Sequence, residues 1–246
     1  MSTFNGRPHN SGKRLLPRLG AGFALLLGCV SLVGCNALET PSPVSTADPV
    51  TVSSLPDGGK LDPGTYLVNG FTVPFEITVP DGWESGGWFV YRSAPDDAGV
   101  AVNFQVDSYV PTDACAWKGT IVEVGPSLEA FASAMAAQTS TVTTPAVEIM
   151  LDGFTGLEFD HAVESNVDIR ECDEQKICLH SDSASNCARW HSSVSEHETY
   201  RIVDLGGERA VIAVLSTESP DPNLVEEARA VFDSITFARD EQATEE

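Results

Sequence analysis

The sequence predicts an α+β fold, a mainly antiparallel sheet with two packed helices. Three observations predict it: several stretches alternate apolar and polar residues with period two, two stretches repeat apolar residues at helical spacing, and short glycine-bearing turns join strand to strand. All of them fall within residues 61–239, a span long enough for one domain with a substantial core.

Phe71, Val73, Phe75, Ile77 and Val79 alternate with Thr72, Pro74, Glu76, Thr78 and Pro80, the pattern of a half-buried strand. Pro74 has no N–H to give to a ladder, so this strand belongs at an edge or a bulge. Asp81-Gly82 turns the chain, and residues 88–92 resume a strand. Val100, Val102, Phe104 and Val106 then alternate with Ala101, Asn103, Gln105 and Asp107, a second one-faced strand. Ser127 is placed to cap a helix in which Leu128, Phe131 and Met135 share a face, with Glu129 in the first turn where the helix dipole favours an anion. Val147, Ile149 and Leu151 lead through Asp152-Gly153 to Leu157, Phe159, His161 and Val163, a hairpin. A second hairpin joins residues 200–205 to 209–215 around Gly206-Gly207, and the unbroken apolar run at 211–215 suits a central strand covered on both faces. A second helix is expected from Asn223, with Val225, Ala228 and Phe232 on one face, followed by a last strand at 235–237.

The N-terminal region reads as an address. Residues 1–34 contain Arg7, Lys13, Arg14 and Arg18, no acid, and an apolar stretch at 21–33 too short to span a bilayer. That combination is a signal peptide. Its end, Leu32-Val33-Gly34-Cys35, resembles the lipobox of bacterial lipoproteins, which implies cleavage before Cys35 and lipidation of its thiol, with acyl chains such as palmitate. The competing cut precedes Cys29 and would leave a shorter apolar segment. Residues 35–60, rich in Pro, Ser, Thr and Asp, carry no hydrophobic periodicity and read as a flexible linker. The acidic end, 240–246, reads as a disordered tail. The expected location is therefore the extracytoplasmic face of the cell membrane, held by lipid.

The chain has 36 acidic and 14 basic residues, a formal charge of -22. Loss of the four basic residues of 1–34 takes it to about -26. Such a surface repels phosphates, so nucleic acid is excluded as a partner, and cations or basic partners are favoured.

With Cys35 lipidated, Cys115, Cys172, Cys178 and Cys187 are an even set in an oxidising compartment. Four cysteines allow three pairings. Cys178 with Cys187, closing a polar loop, and Cys115 with Cys172, joining distant segments, are favoured. The rival reading is a metal site built from Cys172, Cys178, Cys187 and His180 or His191, but it lacks any C-x-x-C pair.

No nucleophile elbow, H-E-x-x-H, P-loop or EF-hand pattern is present, so no catalytic residue, cofactor or metal is assigned. His161 is in phase with the apolar residues of its strand and reads as a core histidine. His191 and His197 would share one face of a regular strand and, with Glu196 or Glu198, could bind a metal weakly, although a polar loop explains them more simply. The leading expectation is a noncatalytic binding or interaction domain for a small ligand or an envelope protein. The alternatives are an exported hydrolase or other enzyme using Glu158 and Asp160, and a structural envelope lipoprotein.

The runs from Phe71 to the Pro-Asp-Gly-Trp83 turn, Asp113-Ala-Cys115-Ala-Trp117, Leu151-Asp-Gly-Phe-Thr-Gly156 and Phe232-Asp-Ser-Ile-Thr-Phe237 resemble a group of uncharacterised actinobacterial secreted lipoproteins. More distantly, the order of elements is similar to the PsbP-like sandwich, which includes mycobacterial lipoproteins of the LpqN type. The resemblance implies a fold and an extracytoplasmic address. It implies accessory or binding roles, and transfers no ligand-binding residue.

Overall fold

The computed structural model describes residues 52–94, 99–217 and 221–238. The expected signal peptide, Cys29, Cys35, most of the linker and the acidic tail lie outside the described residues.

Seventeen strands and two α-helices follow in chain order. The first half holds β1 (Ser53–Ser54), β2 (Gly59–Lys60), β3 (Gly64–Val68), β4 (Phe75–Val79), β5 (Glu84–Ser85), β6 (Phe89–Ser93), β7 (Gly99–Gln105), β8 (Tyr109–Pro111), β9 (Ile121–Glu123) and α1 (Leu128–Ala137). The second holds β10 (Thr141–Thr143), β11 (Val147–Leu151), β12 (Phe154–Val163), β13 (Ile177–His180), β14 (Arg189–His191), β15 (His197–Asp204), β16 (Arg209–Ser216), α2 (Pro222–Asp233) and β17 (Thr236–Phe237).

The main sheet runs β10-β12-β15-β16-β7-β6-β5-β2, with β11 also on β12. A smaller sheet, β1-β3-β4-β17, and the pairs β13-β14 and β8-β9 complete it. Every pairing of named strands is antiparallel except β1 with β3. The protein is mostly antiparallel sheet with two helices.

Each face of the main sheet is covered. On one, Val100, Val102, Phe104, Val203 and Ile212 meet the small sheet through Phe75 and Ile77, and α2 through Ala228, Val231 and Phe232. On the other, Leu157, Phe159, Tyr200, Ile202, Val211 and Ala213 meet Phe131 and Met135 of α1 and Ile177 and Leu179 of β13. Each fully buried Val, Leu, Ile, Phe or Met among them contributes about 1.5–3 kcal/mol. Ser127 caps α1 by accepting the Ala130 N–H at 3.1 Å.

Five differences from the sequence reading have physical causes. The last part of the expected linker is structured: β1 and β2 lie within it and are paired into the two sheets. The strand expected over 71–79 starts only at Phe75, because Pro74 cannot donate; its carbonyl instead accepts the Ala238 N–H at 2.9 Å. β7 is buried on both faces: Ala101 and Asn103, on the side opposite Val100, Val102 and Phe104, are covered as well. α2 is capped two residues earlier than expected, by Asp221, with Pro222 in the first turn, and Val225 faces outward. The polar segment before Ala188 contains a strand, β13, whose four residues are all buried.

The four cysteines form Cys115–Cys172 and Cys178–Cys187. The first fastens the loop before α1 to the start of the β13 segment, across 57 residues; the second closes 9 residues within the β13–β14 hairpin. The chain-entropy relation gives about 4 kcal/mol for the longer closure and about 2.6 for the shorter. Denaturant unfolding of the Cys115→Ser/Cys172→Ser and Cys178→Ser/Cys187→Ser pairs should therefore show the larger loss in the first; equal losses would contradict that ranking.

Candidate functional site

The β13–β14 hairpin lies on the α1 face of the main sheet and brings polar side chains into a buried layer. Its fastening is clear from the backbone: Cys178 N–H donates to the Ala114 carbonyl at 2.9 Å, and the buried Gln138 amide donates to the carbonyls of Cys178 and Leu179 at 3.2 and 3.0 Å. From the hairpin, Arg189 donates to Glu198 of β15 through Nε and a terminal nitrogen. His191 Nε2 stands 3.5 Å from the same Glu198 oxygen. His180 Nδ1 bonds the Asp107 carboxylate. From the sheet, His161 meets the edge of the Tyr200 ring at 6.0 Å, and His180 meets it at 5.6 Å.

This layer is closed to water. His161 is 1% exposed, and His191 and Glu198 are 0% exposed. Both ring nitrogens of His161 and of His191, Nε2 of His180 and Oε2 of Glu198 are buried without a hydrogen-bond partner. Orphaned groups of this kind each cost about 1–3 kcal/mol. Burial first, then His180, lowers the His161 pKa to about 3, which favours its neutral ring. Burial, then Arg189 and the other histidines, holds His191 well below its ordinary value. Burial likewise pushes the Tyr200 hydroxyl up and the Arg189 guanidinium down. Among the described residues no three His, Cys, Asp or Glu groups are placed to hold a metal ion.

Two open grooves flank the layer. The first, about 640 Å³, runs between the β3–β4 turn, the β5–β6 turn, the end of β7 and the disulfide loop of the hairpin. Phe71, Trp88, Phe104 and Val106 give it apolar surface, and Asp107 and Asp182 give it carboxylates. Trp88 stays 44% exposed, seated edge-on against Phe89 at 4.6 Å. The turn that presents it requires glycines: Gly87 has φ +85°, and a Cβ at Gly86 would fall 2.2 Å from the Phe89 ring. The second groove, about 600 Å³, is lined by Asp160, His161, Glu196, His197, Thr199 and Arg229, among others. There Thr199 donates to Asp160 at 2.7 Å and accepts from Arg229 at 3.2 Å.

The residues weighed from sequence are distributed differently from the expectation. His191 and His197 do not share a strand: a turn at 192–196, closed by Ser192 donating to Glu196, puts the first on β14 and the second on β15. The thiolate metal reading is overturned, because all three of its cysteines are in disulfides and His180 is held by Asp107. Glu158 and Asp160 face their cross-strand partners Arg201 and Thr199, which donate to them at 2.8 and 2.7 Å. Ser216 bonds the His197 ring at 2.8 Å, but no carboxylate among the described residues orients that ring.

Several members were missed. Asp107, Arg189 and Arg209 look like surface residues in sequence, yet all are buried. Arg209 donates to the carbonyls of Gly125, Ser127 and Asp107 and lies 4.7 Å over Phe131, tying the entry of α1 to the end of β7. The available signal was the pair of short runs Ile177-Cys-Leu-His180 and Arg189-Trp-His191, apolar enough to be strands on either side of a polar turn.

No family model and no curated protein matches the chain. Among solved structures, it is similar to the solution structure of cyanobacterial PsbP (CyanoP) from Synechocystis sp. PCC 6803, with 14% sequence identity, a TM-score of 0.33, and coverage of 80% of this chain and 99% of that one.

Proposed function

We propose that the chain is an extracytoplasmic lipoprotein, anchored through Cys35, whose domain, a sandwich of the PsbP-like kind, binds a small organic cation in the Trp88 groove without transforming it. The observation that carries this reading is the composition of that groove: the exposed indole of Trp88 and apolar side chains share its lining with the exposed carboxylate of Asp182, while Asp107 lies buried at its edge with its carboxylate on His180, in a chain with 36 acids and 14 bases. An ammonium over an indole face gains about 0.5–2 kcal/mol, and carboxylates within reach supply the complementary charge. At about 640 Å³ the groove suits a small molecule with an apolar body. His191 and Glu198 lie buried beneath the hairpin, and in the second groove Asp160 is bonded by Thr199 and the His197 ring by Ser216.

Calorimetric titration with benzyltrimethylammonium tests the groove. Binding should be detectable at millimolar probe, weaken with added salt, and fall at least about fivefold in Trp88→Ala, the loss expected of a cation–π contact worth about 1 kcal/mol. Undiminished binding in Trp88→Ala, or none in the unaltered protein, would contradict it. The anchor has its own test: Cys35→Ala should abolish labelling by a palmitate analogue in cells, whereas retained labelling would move the lipid to Cys29.

A further inference from the structure

We infer that the β13–β14 hairpin is an acid-operated flap on the Trp88 groove, an inference that rests on the reading of that groove as a binding site.

The hairpin touches both the groove and the sealed layer. Asp182, Asn186 and Cys187 of its loop form one wall of the groove. Asp107, another part of the lining, gives its carboxylate to His180 on the same hairpin. Beneath lie the imidazoles of His161 and His191, buried with no hydrogen-bond partner on either nitrogen. A closed hairpin therefore holds two proton acceptors beside a single buried carboxylate, Glu198, that Arg189 already engages, and an open one returns them to water.

The groups that face these imidazoles come from every element around them. β13 gives His180, β14 gives Arg189, β15 gives Glu198, Tyr200 and, from its other face, His197, and the turn before β15 gives Glu196. The end of β7 gives Asp107 and β16 gives Arg209 at the layer's margin. α1 adds only the apolar Leu128, Phe131, Ala132 and Met135. Glu198 is the carboxylate nearest His191, and it is already committed to Arg189. A proton on His191 or His161 thus adds a second buried cation beside Arg189.

The sign follows from the directions of the shifts. The closed form lowers the pKa of both histidines below 6.5, His161 to about 3, so it binds fewer protons than an open form with solvated rings. Closure is fully favoured above pH 6.5 and loses favour as pH falls, by about tenfold per pH unit per histidine until the closed-form pKa is reached. For His161 that window runs from about 6.5 down to about 3.

Hydrogen exchange by mass spectrometry, with each amide normalised to its unfolded-chain rate at the same pH, reads the flap without any ligand. From pH 7 to pH 5, protection over residues 177–191 should fall at least tenfold while that of α2 is retained, and benzyltrimethylammonium affinity should fall in parallel. His161→Phe, which cannot take a proton and keeps an aromatic ring against Tyr200, should retain more protection at pH 5 than the unaltered protein. His191→Leu serves the same purpose if that variant does not fold. Equal protection at both pH values, or an identical acid response in both histidine variants, would overturn the flap. Acid-sensitive protection with no probe binding at pH 7 would overturn the groove reading instead.

Discussion

Glu198 is fully buried in the middle of a sheet face, and Arg189 reaches it from the hairpin strand packed above. A carboxylate taken out of water without a cation is untenable by several kcal/mol, so the hairpin's position and the charge on β15 are mutually required. His191 is brought to 3.5 Å from Glu198 by residing two places beyond Arg189 on a three-residue strand. His180, on the partner strand of the hairpin, is oriented by Asp107 at the groove. The disulfides then act on a hairpin already located by charge: Cys178–Cys187 closes its loop, and Cys115–Cys172 ties its leading segment to the approach of α1.

The two faces of the main sheet consequently differ in kind. The α2 face is a continuous apolar core of Val, Ile and Phe, with the Arg201 guanidinium stacked 4.1 Å over Phe232 and bonded to Glu158 and Asp233 at its rim. The α1 face mixes the same kind of apolar packing with a polar layer that is only partly satisfied. Apolar burial is indifferent to pH and gives the domain its baseline stability, whereas a half-satisfied polar layer stabilises only under conditions that keep its histidines neutral. The polar layer of the α1 face lies beside the Trp88 groove, whose lining includes Asp107 and the hairpin loop.

Legibility in the sequence followed the reach of each interaction. The hairpins at Asp152-Gly153 and Gly206-Gly207 and the helix capped by Ser127 depend on neighbours in sequence, and period and turn chemistry disclosed them. The cysteine pairing was open among three connectivities, with the observed one favoured by loop character. What stayed hidden depends on contacts across the chain. β7 reads as one-faced because nothing in its own residues announces that Ala101 and Asn103 are covered too. Arg189 and Glu198 are nine positions apart within a polar stretch, and only the burial of Ile177 and Leu179 draws that stretch under cover. His161 was recognisable as a core residue from its phase, yet its unpartnered nitrogens become visible only once the hairpin closes over them. The Trp88 groove is assembled from four separate segments, so no local motif could mark it.

A double-mutant cycle on the buried pair addresses the central claim, that the Arg189–Glu198 pair sets the hairpin on the sheet. Arg189→Met and Glu198→Leu should each cost about 3–5 kcal/mol in denaturant unfolding, since each strands the other charge in the interior. The double variant, with no stranded charge, should be at least about 2 kcal/mol more stable than the sum of the single losses implies. Additive losses would mean that the two side chains act independently, and would contradict the account.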